Sequence, residues 1–377
     1  MEEKLRLYLR SVISHEGSDL HIKAGSRMRI RIYGTLKVFG EEVLSVEMVD
    51  KLAQEISTKE QYKQLVQDKN LDFSYKLNDE NQFRVNFFYQ MDGLSAAFRL
   101  IPIKILTLDE LHLPQVLKSF TDVQRGLVLI TGVTGSGKST TLAAMIDKIN
   151  REQNKHIITI EDPIEFVHQD KKCLVNQRAV GQDTHSFSDA LRAALREDPD
   201  IILVGEMRDL ETIDIALHAA NTGHLVFSTL HTLDAKETID RIVGMFDNKE
   251  QNRVRMSLAS VLEGVVSQRL IPTKDGKRIP GVEILKKTAR IEQLIAEHRD
   301  SEILDALFDG KEIYGTQTFD QSLLDLLRSD EITEKTALEY ATNPADLKLK
   351  MQGVGKGAII NEDAFEQKVD IFEFKEE

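Results

Sequence analysis

Apolar and polar residues alternate through much of the first hundred positions of the chain. Residues 28–33 (MRIRIY) alternate with a period of two, which predicts a half-buried strand. Residues 83–90 and 94–101 show the same alternation and flank Asp92 and Gly93, a dipeptide that is a strong hairpin signal. The pattern therefore predicts a small α/β domain that contains a β-hairpin.

A two-residue turn at Asp92 and Gly93 would set the register of this hairpin. The predicted cross-strand pairs are Met91 with Leu94, Val85 with Leu100 and Phe87 with Phe98. This register puts the apolar residues of both strands on one buried face. It also makes Arg84 and Arg99 diagonal neighbours on the opposite face.

Three segments carry the sequence of a helix start. Residues 57–60 (STKE) and 107–110 (TLDE) match the capping box, in which two side chains bond each other's backbone amides. Residues 318–321 (TFDQ) resemble a further start, followed by a stripe of leucines at Leu323, Leu324 and Leu327. After residue 285 the chain as a whole is predicted to be helical.

From Gly126 onward, short apolar runs rich in β-branched residues alternate with segments of helical periodicity. Such runs are typical of parallel strands that are covered on both faces. They lie at residues 127–130, 157–160, 201–204 and 225–227. The second domain is therefore predicted to be α/β with a parallel sheet.

These changes of pattern divide the chain into domains. An N-terminal domain is predicted for residues 1–101, a linker for residues 102–118 and a second α/β domain with C-terminal helices for residues 119–350. Residues 351–377 are predicted to form an acidic tail, because positions 361–377 hold seven acids and two bases.

Composition limits the classes of protein that fit. Hydrophobic residues make up 41% and charged residues 29% of the 377 residues, which is ordinary for a globular protein. The formal net charge of −13 argues against nucleic acid as a partner, because duplex-binding proteins carry a basic surface. Cys173 is the only cysteine, so an internal disulfide and a cysteine-based zinc cage are excluded. No apolar run approaches the ~20 residues of a membrane-spanning helix, so we expect a soluble, cytoplasmic protein.

A phosphate-binding loop is the most specific motif of the sequence. Residues 132–139 (GVTGSGKS) match GxxxxGK[ST] between an apolar strand and an amphipathic helix. The glycines let backbone N–H groups point at phosphate oxygens, Lys138 reaches the β- and γ-phosphates, and Ser139 offers a hydroxyl to Mg²⁺. The predicted nucleotide-binding residues are Gly132, Val133, Thr134, Gly135, Ser136, Gly137, Lys138, Ser139 and Thr140.

Two later strands end in carboxylates. Residues 157–160 lead into the acid box Glu161-Asp-Pro-Ile-Glu165, and ligands bind at the carboxyl ends of parallel strands. Residues 201–204 resemble a Walker B strand in which Gly205 replaces the usual Asp. Glu206 is therefore left to hold the metal shell or to orient water.

A further strand has a histidine before it and another after it, His224 and His231. Their spacing of seven is not that of a helical metal pair, so zinc is rejected. A γ-phosphate sensor and an intersubunit contact both remain open as roles.

Four blocks in this order resemble the hexameric ATPases of the secretion superfamily. They are the phosphate loop, the acid box, the GEMRD stretch at residues 205–209 and the histidine box at residues 224–231. Three further phrases are similar to the type IV pilus retraction ATPases, the PilT group. They are SDLH at residues 18–21, REDPD at residues 196–200 and QTFDQ at residues 317–321.

The resemblance extends from residue 1 to about residue 350. It implies a PAS-like N-terminal α/β domain and a RecA-like core with C-terminal helices, assembled as a homohexameric ring. It further implies ATP hydrolysis with Mg²⁺ that drives pilus retraction, at a location peripheral to the inner membrane at the pilus base. The implied partners are an inner-membrane platform protein and a paralogous pilus ATPase.

The resemblance also assigns roles by matching position. Lys138 and Ser139 would bind phosphate and Mg²⁺, Glu165 would be the catalytic base for the attacking water, and Glu206 would be the Walker B acid. His224 and His231 match the sensors of the group.

Arg84 and Arg99 match arginines that reach a nucleotide from the N-terminal domain. Two guanidinium groups side by side repel each other unless an anion or solvent screens them. With a phosphate loop in the next domain, a role as arginine fingers is favoured over two solvated surface arginines, and such a finger is worth about 10³–10⁵ in rate.

Two features depart from the retraction group. Its Ala-Ile-Arg-Asn-Leu-Ile block aligns with residues 290–295, where Glu292 replaces the usual Arg. The acidic tail is also additional to the common length of the group. Both departures raise an accessory, PilU-like paralogue as an alternative to the main retraction motor.

Other functions fit the sequence less well. Pilus-assembly ATPases carry an extra N-terminal domain and a four-cysteine zinc site, neither of which is expected here. The net charge argues against a nucleic-acid translocase. The set of Lys138, Glu165 and Glu206 argues against a protein that binds ATP without hydrolysing it.

Overall fold

The computed structural model describes residues 1–32, 35–78, 81–101 and 104–353. The chain forms two compact units. The N-terminal unit comprises Met1–Ile105 together with Pro163–Val167, and the core unit comprises Leu106–Asp162 and the described chain from His168 onward. The α/β fold class is confirmed in both units.

The N-terminal unit combines three helices with a six-stranded antiparallel sheet of order β3-β2-β1-β6-β5-β4. The helices are α1 (Glu2–Ser14), α2 (Val46–Ile56) and α3 (Lys59–Asp68). The strands are β1 (Gly17–Lys23), β2 (Arg27–Ile32), β3 (Thr35–Val43), β4 (Asn70–Asn78), β5 (Asn81–Gln90) and β6 (Gly93–Ile101). The predicted strand at residues 28–33 corresponds to β2, and residue 33 lies outside the described residues.

One face of this sheet and the apolar sides of the helices form a common core. Its largest fully buried side chains include three phenylalanines of the β5–β6 hairpin, Phe83, Phe87 and Phe98. Phe87 stacks on Phe73 of β4 and meets Phe98 edge-on, with ring centroids 6.1 and 6.2 Å apart. The alternation of apolar residues therefore predicts the buried face correctly.

The predicted register of the hairpin is wrong by two positions. Gln90 pairs with Gly93, so the turn consists of Met91 and Asp92. Gly93 has a φ of +112°, a conformation open to glycine, and it starts β6 directly after the turn. The observed pairs are Val85 with Phe98, Phe87 with Ala96 and Arg84 with Arg99. Because side chains alternate with a period of two, this shift preserves the faces but sets the two arginines directly opposite each other.

The predicted helix starts have three different outcomes. Thr58 and Gln61 form the capping box of α3, one residue later than predicted, because the Ser57 hydroxyl bonds back to the carbonyl of Ala53 at the end of α2. Thr107 and Glu110 form reciprocal capping bonds, but only turns follow, so the helix predicted there is absent. The helix start at residues 318–321 is confirmed.

The core unit is built on a seven-stranded sheet of order β13-β12-β7-β11-β10-β8-β9. Its strands are β7 (Gly126–Thr131), β8 (His156–Glu161), β9 (Leu174–Ala179), β10 (Ile201–Val204), β11 (Leu225–Leu230), β12 (Leu262–Pro272) and β13 (Arg278–Lys286). All neighbours pair in parallel except β12 and β13, which pair antiparallel. The parallel sheet and its four predicted strands are confirmed.

Helices accompany these strands along the chain and continue beyond them. They are α4 (Val116–Thr121), α5 (Lys138–Glu152), α6 (Phe187–Ala194), α7 (Leu210–Asn221), α8 (Ala235–Gly244), α9 (Asn248–Val261), α10 (Ala289–Ala296), α11 (Ile303–Asp309), α12 (Lys311–Tyr314), α13 (Phe319–Arg328), α14 (Glu334–Tyr340) and α15 (Pro344–Met351). Every residue of β7, β10 and β11 is buried, which is why these strands appear in the sequence as continuous apolar runs. Among the described residues, no helix combines the length and apolar character that crossing a membrane requires.

The segment predicted as a linker belongs largely to the core unit. Leu108, Leu113 and Leu117 are buried in the same apolar cluster as strand β7 and helix α5. The division between the units falls between Ile105 and Leu106. Most of the predicted acidic tail, from residue 354, lies outside the described residues.

The single cysteine is part of the core. Cys173 is buried, and its thiol lies 3.1 Å from the carbonyl oxygen of Gln153. Burial raises the pKa of the Cys173 thiol above its ordinary value. The residue therefore behaves as a small core side chain and not as a reactive thiol.

Candidate functional site

The phosphate loop joins the end of β7 to the start of α5. Gly132, Gly135 and Gly137 have φ values of +141°, +80° and +93°, which side chains other than glycine rarely adopt. A Cβ on Gly132 would also lie 2.4 Å from a backbone oxygen, so that position excludes a side chain on two grounds. These constraints explain the glycine spacing that the sequence displays.

Lys138 is the first residue of α5, and it is 9% exposed. Its ammonium group donates to the carbonyl oxygens of Gly132 and Val133, at 2.8 and 3.1 Å. The loop therefore holds one positive charge above its own backbone, next to the N-terminus of a helix. Both features favour an anion at this position.

Strands β11 and β10, which follow β7 in the order of the sheet, bring two further residues to the same edge. Leu230 of β11 pairs with Thr131 of β7, so His231 follows β11 at the level of the phosphate loop. Val204 of β10 pairs with Ser228 of β11, and Glu206 therefore lies at this edge as well. The carboxyl ends of parallel strands form the binding edge of such sheets, as the sequence predicts.

Glu206 is held from both sides. One carboxylate oxygen lies 2.8 Å from a guanidinium nitrogen of Arg208, and the other lies 3.3 Å from Nε2 of His231. The Glu206 side chain is 18% exposed. The hydrogen bond to Glu206 also raises the pKa of Arg208, which stays charged. Glu206 and His231, both predicted site residues, are thus in direct contact.

The acid box divides between two environments. The carboxylate of Glu161 accepts hydrogen bonds from the Thr159 hydroxyl at 2.6 Å and the Gln177 amide at 3.1 Å. Asp162 lies 3.7 Å from Arg208. Glu165 belongs to Pro163–Val167, which groups with the N-terminal unit, and its side chain makes no hydrogen bond or ion pair with another described residue. Its role as the catalytic base remains a prediction.

His224 lies at the opposite end of β11 from His231. Its ring Nδ1 is 3.0 Å from the carbonyl oxygen of Ala219, and its own carbonyl accepts from the amide of Gly126, where β7 begins. Seven residue steps at about 3.3 Å each separate the two histidines by about 23 Å. The structure therefore does not bring His224 to the phosphate loop of its own chain, and an intersubunit contact is the role that remains predicted for it.

Arg84 and Arg99 each face a carboxylate of their own unit. Arg99 donates to Asp19 at 2.8 Å, and Arg84 lies 3.4 Å from Asp72. Asp19 is buried, while the side chains of Arg84 and Arg99 are 42% and 69% exposed. The two carboxylates screen the repulsion expected between neighbouring guanidinium groups, and the exposed ends stay accessible to an anion.

The chemistry of the donors fits Mg²⁺. Within the described ranges, no group of three or more His, Cys, Asp or Glu side chains is arranged to hold a metal ion. Mg²⁺ commonly keeps several waters and uses one or two protein oxygens together with substrate phosphates. The Ser139 hydroxyl at the start of α5 and the Glu206 carboxylate are oxygen donors of this kind.

Two residues of the site were not singled out by the sequence. Arg208 holds Glu206, and Gln268 of β12 accepts a hydrogen bond from Thr141, in the helix that follows the phosphate loop and 127 residues away along the chain. Arg208 lies inside the GEMRD stretch, so its proximity to Glu206 could have been inferred. Nothing in the local sequence distinguishes Gln268.

Fold and site together define a P-loop ATPase, with a glycine-rich loop after one parallel strand and a carboxylate after a strand of the same sheet. A family model described as Type II/IV secretion system protein matches residues 1–364. The chain belongs to this family.

Individual relatives agree with this assignment. The chain is 49% identical over 327 residues to the type IV pilus retraction ATPase PilT of Pseudomonas aeruginosa, covering 87% of this chain and 95% of that protein. It is 39% identical over 345 residues to the type IV pilus ATPase PilU of the same organism, covering 91% and 90%. The crystal structure of the pilus retraction motor PilT with bound ADP superposes with a TM-score of 0.85 at 42% identity, covering 91% and 98%.

Proposed function

We propose that this ATPase is the motor of type IV pilus retraction. The observation that carries the proposal is the phosphate loop with Lys138, together with Glu206 at the same edge of the sheet, in a chain similar to PilT over nearly its whole length. PilT is described as a pilus retraction ATPase, and its crystal structure holds ADP. ATP is accordingly the proposed substrate.

Each predicted residue has a proposed task in the reaction. Lys138 and the amides of residues 132–140 would bind the phosphates, and Glu165 would accept a proton from the attacking water. Glu206, oriented by Arg208 and His231, would order water or the metal shell at the γ-phosphate. Mg²⁺, held through Ser139 and Glu206, would supply positive charge to the phosphates.

Two arginines and one histidine have proposed tasks outside this set. Arg84 and Arg99 would stabilise phosphate charge as arginine fingers, and their exposed guanidinium groups support this role. His224, at the far end of β11, is proposed as an intersubunit contact. All three assignments need the assembled protein for a test.

The proposed assembly is a homohexamer peripheral to the inner membrane at the pilus base. An inner-membrane platform protein and a paralogous ATPase are its proposed partners. A ring would couple successive hydrolysis events to displacement of the platform. Measuring the mass of the purified protein with and without ATP tests the assembly directly.

The first experiment is steady-state ATP hydrolysis by the purified protein, with size analysis of the same sample. We expect turnover by a particle of about six subunits, and its loss in Lys138→Ala. The absence of turnover in the wild-type ring, despite ATP binding, would contradict a motor function.

The base assignment has a matched control within the acid box. Glu165→Gln is expected to bind ATP and to abolish turnover. Glu161→Gln changes a neighbouring carboxylate that Thr159 and Gln177 already engage, so a smaller loss is expected. Equal losses in both variants would argue against a special role for Glu165.

An accessory, PilU-like role is the second candidate, and Glu292 is the observation that favours it. Glu292 is exposed in the first turn of α10, where an acidic residue suits the helix dipole. It replaces the Arg of the retraction group, so a partner surface would carry reversed charge. The two roles can be separated by expressing this protein in a P. aeruginosa strain that lacks PilT and in one that lacks PilU. Rescue of twitching in the strain without PilT supports the role of main retraction motor.

A further inference from the structure

We propose that Gln268 is a positioning residue for nucleotide binding, which fixes the phosphate loop from the side of β12. The inference rests on the proposed function, because it assumes that the loop binds ATP. Gln268 of β12 directly follows Ser267, the last residue of this strand that pairs with β7, and 3% of Gln268 is exposed. Neither its residue type nor its neighbours form a nucleotide-binding motif.

Gln268 contacts the loop at both of its ends. Its backbone oxygen lies 2.4 Å from the place that a Cβ on Gly132 would occupy, at the first glycine. Its side-chain Nε2 lies 2.6 Å from the place of a Cβ on Gly137, at the last glycine. One residue therefore sets how closely both ends of the loop approach β12.

The same side chain holds the helix that the loop leads into. The Thr141 hydroxyl, in the first turn of α5, donates to Oε1 of Gln268 at 2.8 Å. Thr141 is 1% exposed, so this hydrogen bond is shielded from water. A buried amide that loses its partner is left unsatisfied, and the side chains of this pair are therefore held in one arrangement.

Gln268 is itself fixed from the side of β13. It pairs with Val282, whose backbone amide donates to the Ser322 hydroxyl at 3.1 Å. The carbonyl of Val282 accepts from the Gln317 amide at 2.9 Å. Gln317 and Ser322 flank the start of α13, so the C-terminal helices support the strand pair that supports the loop.

These contacts lead to a specific kinetic expectation. A loop displaced by a few tenths of an ångström presents its amides to the phosphates less well in the ground state and the transition state alike. Such a loss of uniform binding raises KM and leaves kcat nearly unchanged. A purely structural role would instead lower the folded fraction, which decreases apparent kcat at constant KM.

The test uses the full-length protein with Mg²⁺ and either ATP or a fluorescent ADP analogue. Gln268→Met keeps the size of the side chain and removes both hydrogen-bonding groups. We expect about a tenfold rise in KM for ATP and in the dissociation constant of the ADP analogue, with kcat changed less than threefold. A tenfold change corresponds to about 1.4 kcal/mol.

Thr141 provides an independent variant of the same interaction. Thr141→Val is nearly isosteric and is expected to weaken ADP binding as Gln268→Met does, while Thr141→Ser keeps the hydroxyl and is expected to restore binding. The double variant Gln268→Met with Thr141→Val leaves no polar group of this pair unpaired. Its ADP affinity is therefore expected to be at least that of the single variant that binds ADP less tightly. A hundredfold loss in the double variant would mean that the two residues act separately, and would overturn the proposal.

Thr316→Val is the matched control, because its buried hydroxyl donates to the carbonyl of Leu307 at 2.8 Å in the C-terminal helices. Thr316→Val is expected to lower the melting temperature by about as much as Gln268→Met does, and to leave the ADP affinity unchanged. The inference would be refuted if Gln268→Met lowered the melting temperature while its ADP affinity stayed within twofold of that of the wild type. A wild-type protein that binds no nucleotide would refute the proposed function instead.

Discussion

Replacing Glu283 with Gln is expected to stabilise the core unit at alkaline pH. Glu283 lies on β13 and is 3% exposed, and its carboxylate accepts the amide of Ala235 at the start of α8 at 2.9 Å. Burial raises the pKa of Glu283 from its ordinary 4.5 to about 7. The charges of Asp234 and Asp320 add to this rise, whereas the Ala235 amide and Arg269 oppose it.

The sign and the size of the effect follow from proton linkage. The folded protein holds the proton of Glu283 more tightly than the unfolded chain, so stability falls as the pH rises from about 4.5 to about 7 and stays low above it. The interval between these two values corresponds to about 3 kcal/mol. Gln cannot ionise and its carbonyl oxygen can still accept the Ala235 amide, so the variant avoids this loss.

Thermal unfolding at pH 5, 6, 7 and 8 provides the measurement. We expect the variant to exceed wild type by about 3 kcal/mol at pH 8 and by less than about 1 kcal/mol at pH 5. For domains of about 150–250 residues, 3 kcal/mol corresponds to roughly 6–12 °C in melting temperature. Equal pH dependence in the two proteins would show that Glu283 does not titrate in this range, and would refute the reasoning.

Three further predictions concern stability. Thr318→Ala removes the capping box of α13 and is expected to cost about 1 kcal/mol, read from the urea midpoint; an unchanged midpoint would contradict it. The buried carboxylate of Asp300 lies 2.7 Å from Arg255, and Arg255→Met leaves it without this partner. The variant should lose about 3–5 kcal/mol of stability, and the added change Asp300→Leu should recover most of it. Failure of that recovery would argue against the ion pair as the cause. Burial alone would raise the pKa of Asp19, but hydrogen bonds that include one from Arg99 hold this pKa below the ordinary 3.8. The contribution of Asp19 to folding stability is therefore present above pH 3.8 and is lost as the pH falls through the lower pKa of the folded state. The stability difference between wild type and Asp19→Asn should therefore shrink below about pH 4, and a constant difference in acid unfolding would contradict this.

The parallel sheet and its binding edge could be predicted because their signals are local. A strand that is covered on both faces carries a nearly continuous apolar run, and β7, β10 and β11 each contain one. The phosphate loop is also a local signal, because its glycines adopt positive φ values within a single stretch of eight residues. Glu206 and His231 follow from the same logic, because each comes directly after such a strand.

Details of turns and caps were predicted less well, since adjacent residues compete for the same role. Ser57 and Thr58 can both cap a helix, and the end of α2 decides between them by engaging Ser57. Gly93 can occupy a turn or begin a strand, and the observed register uses it as the first residue of β6. These choices depend on neighbouring elements that a short window of sequence does not contain.

The contacts of Gln268 and the position of His224 depend on the assembled sheet. Gln268 meets the phosphate loop only because β12 lies beside β7, although the two strands are far apart in sequence. His224 and His231 form one block in the sequence, yet the strand between them takes them to opposite edges. Proximity along the chain is therefore a poor guide to proximity in a parallel sheet.

The buried position of Cys173 makes this protein suitable for site-specific spectroscopy. The chain contains no other cysteine, and the thiol of Cys173 is shielded and bonded to backbone oxygens. A maleimide dye or spin label would therefore react selectively with a cysteine introduced at an exposed position. Glu292 on α10 is one such position. Labels placed in this way would report distances during turnover without any need to remove the native thiol first.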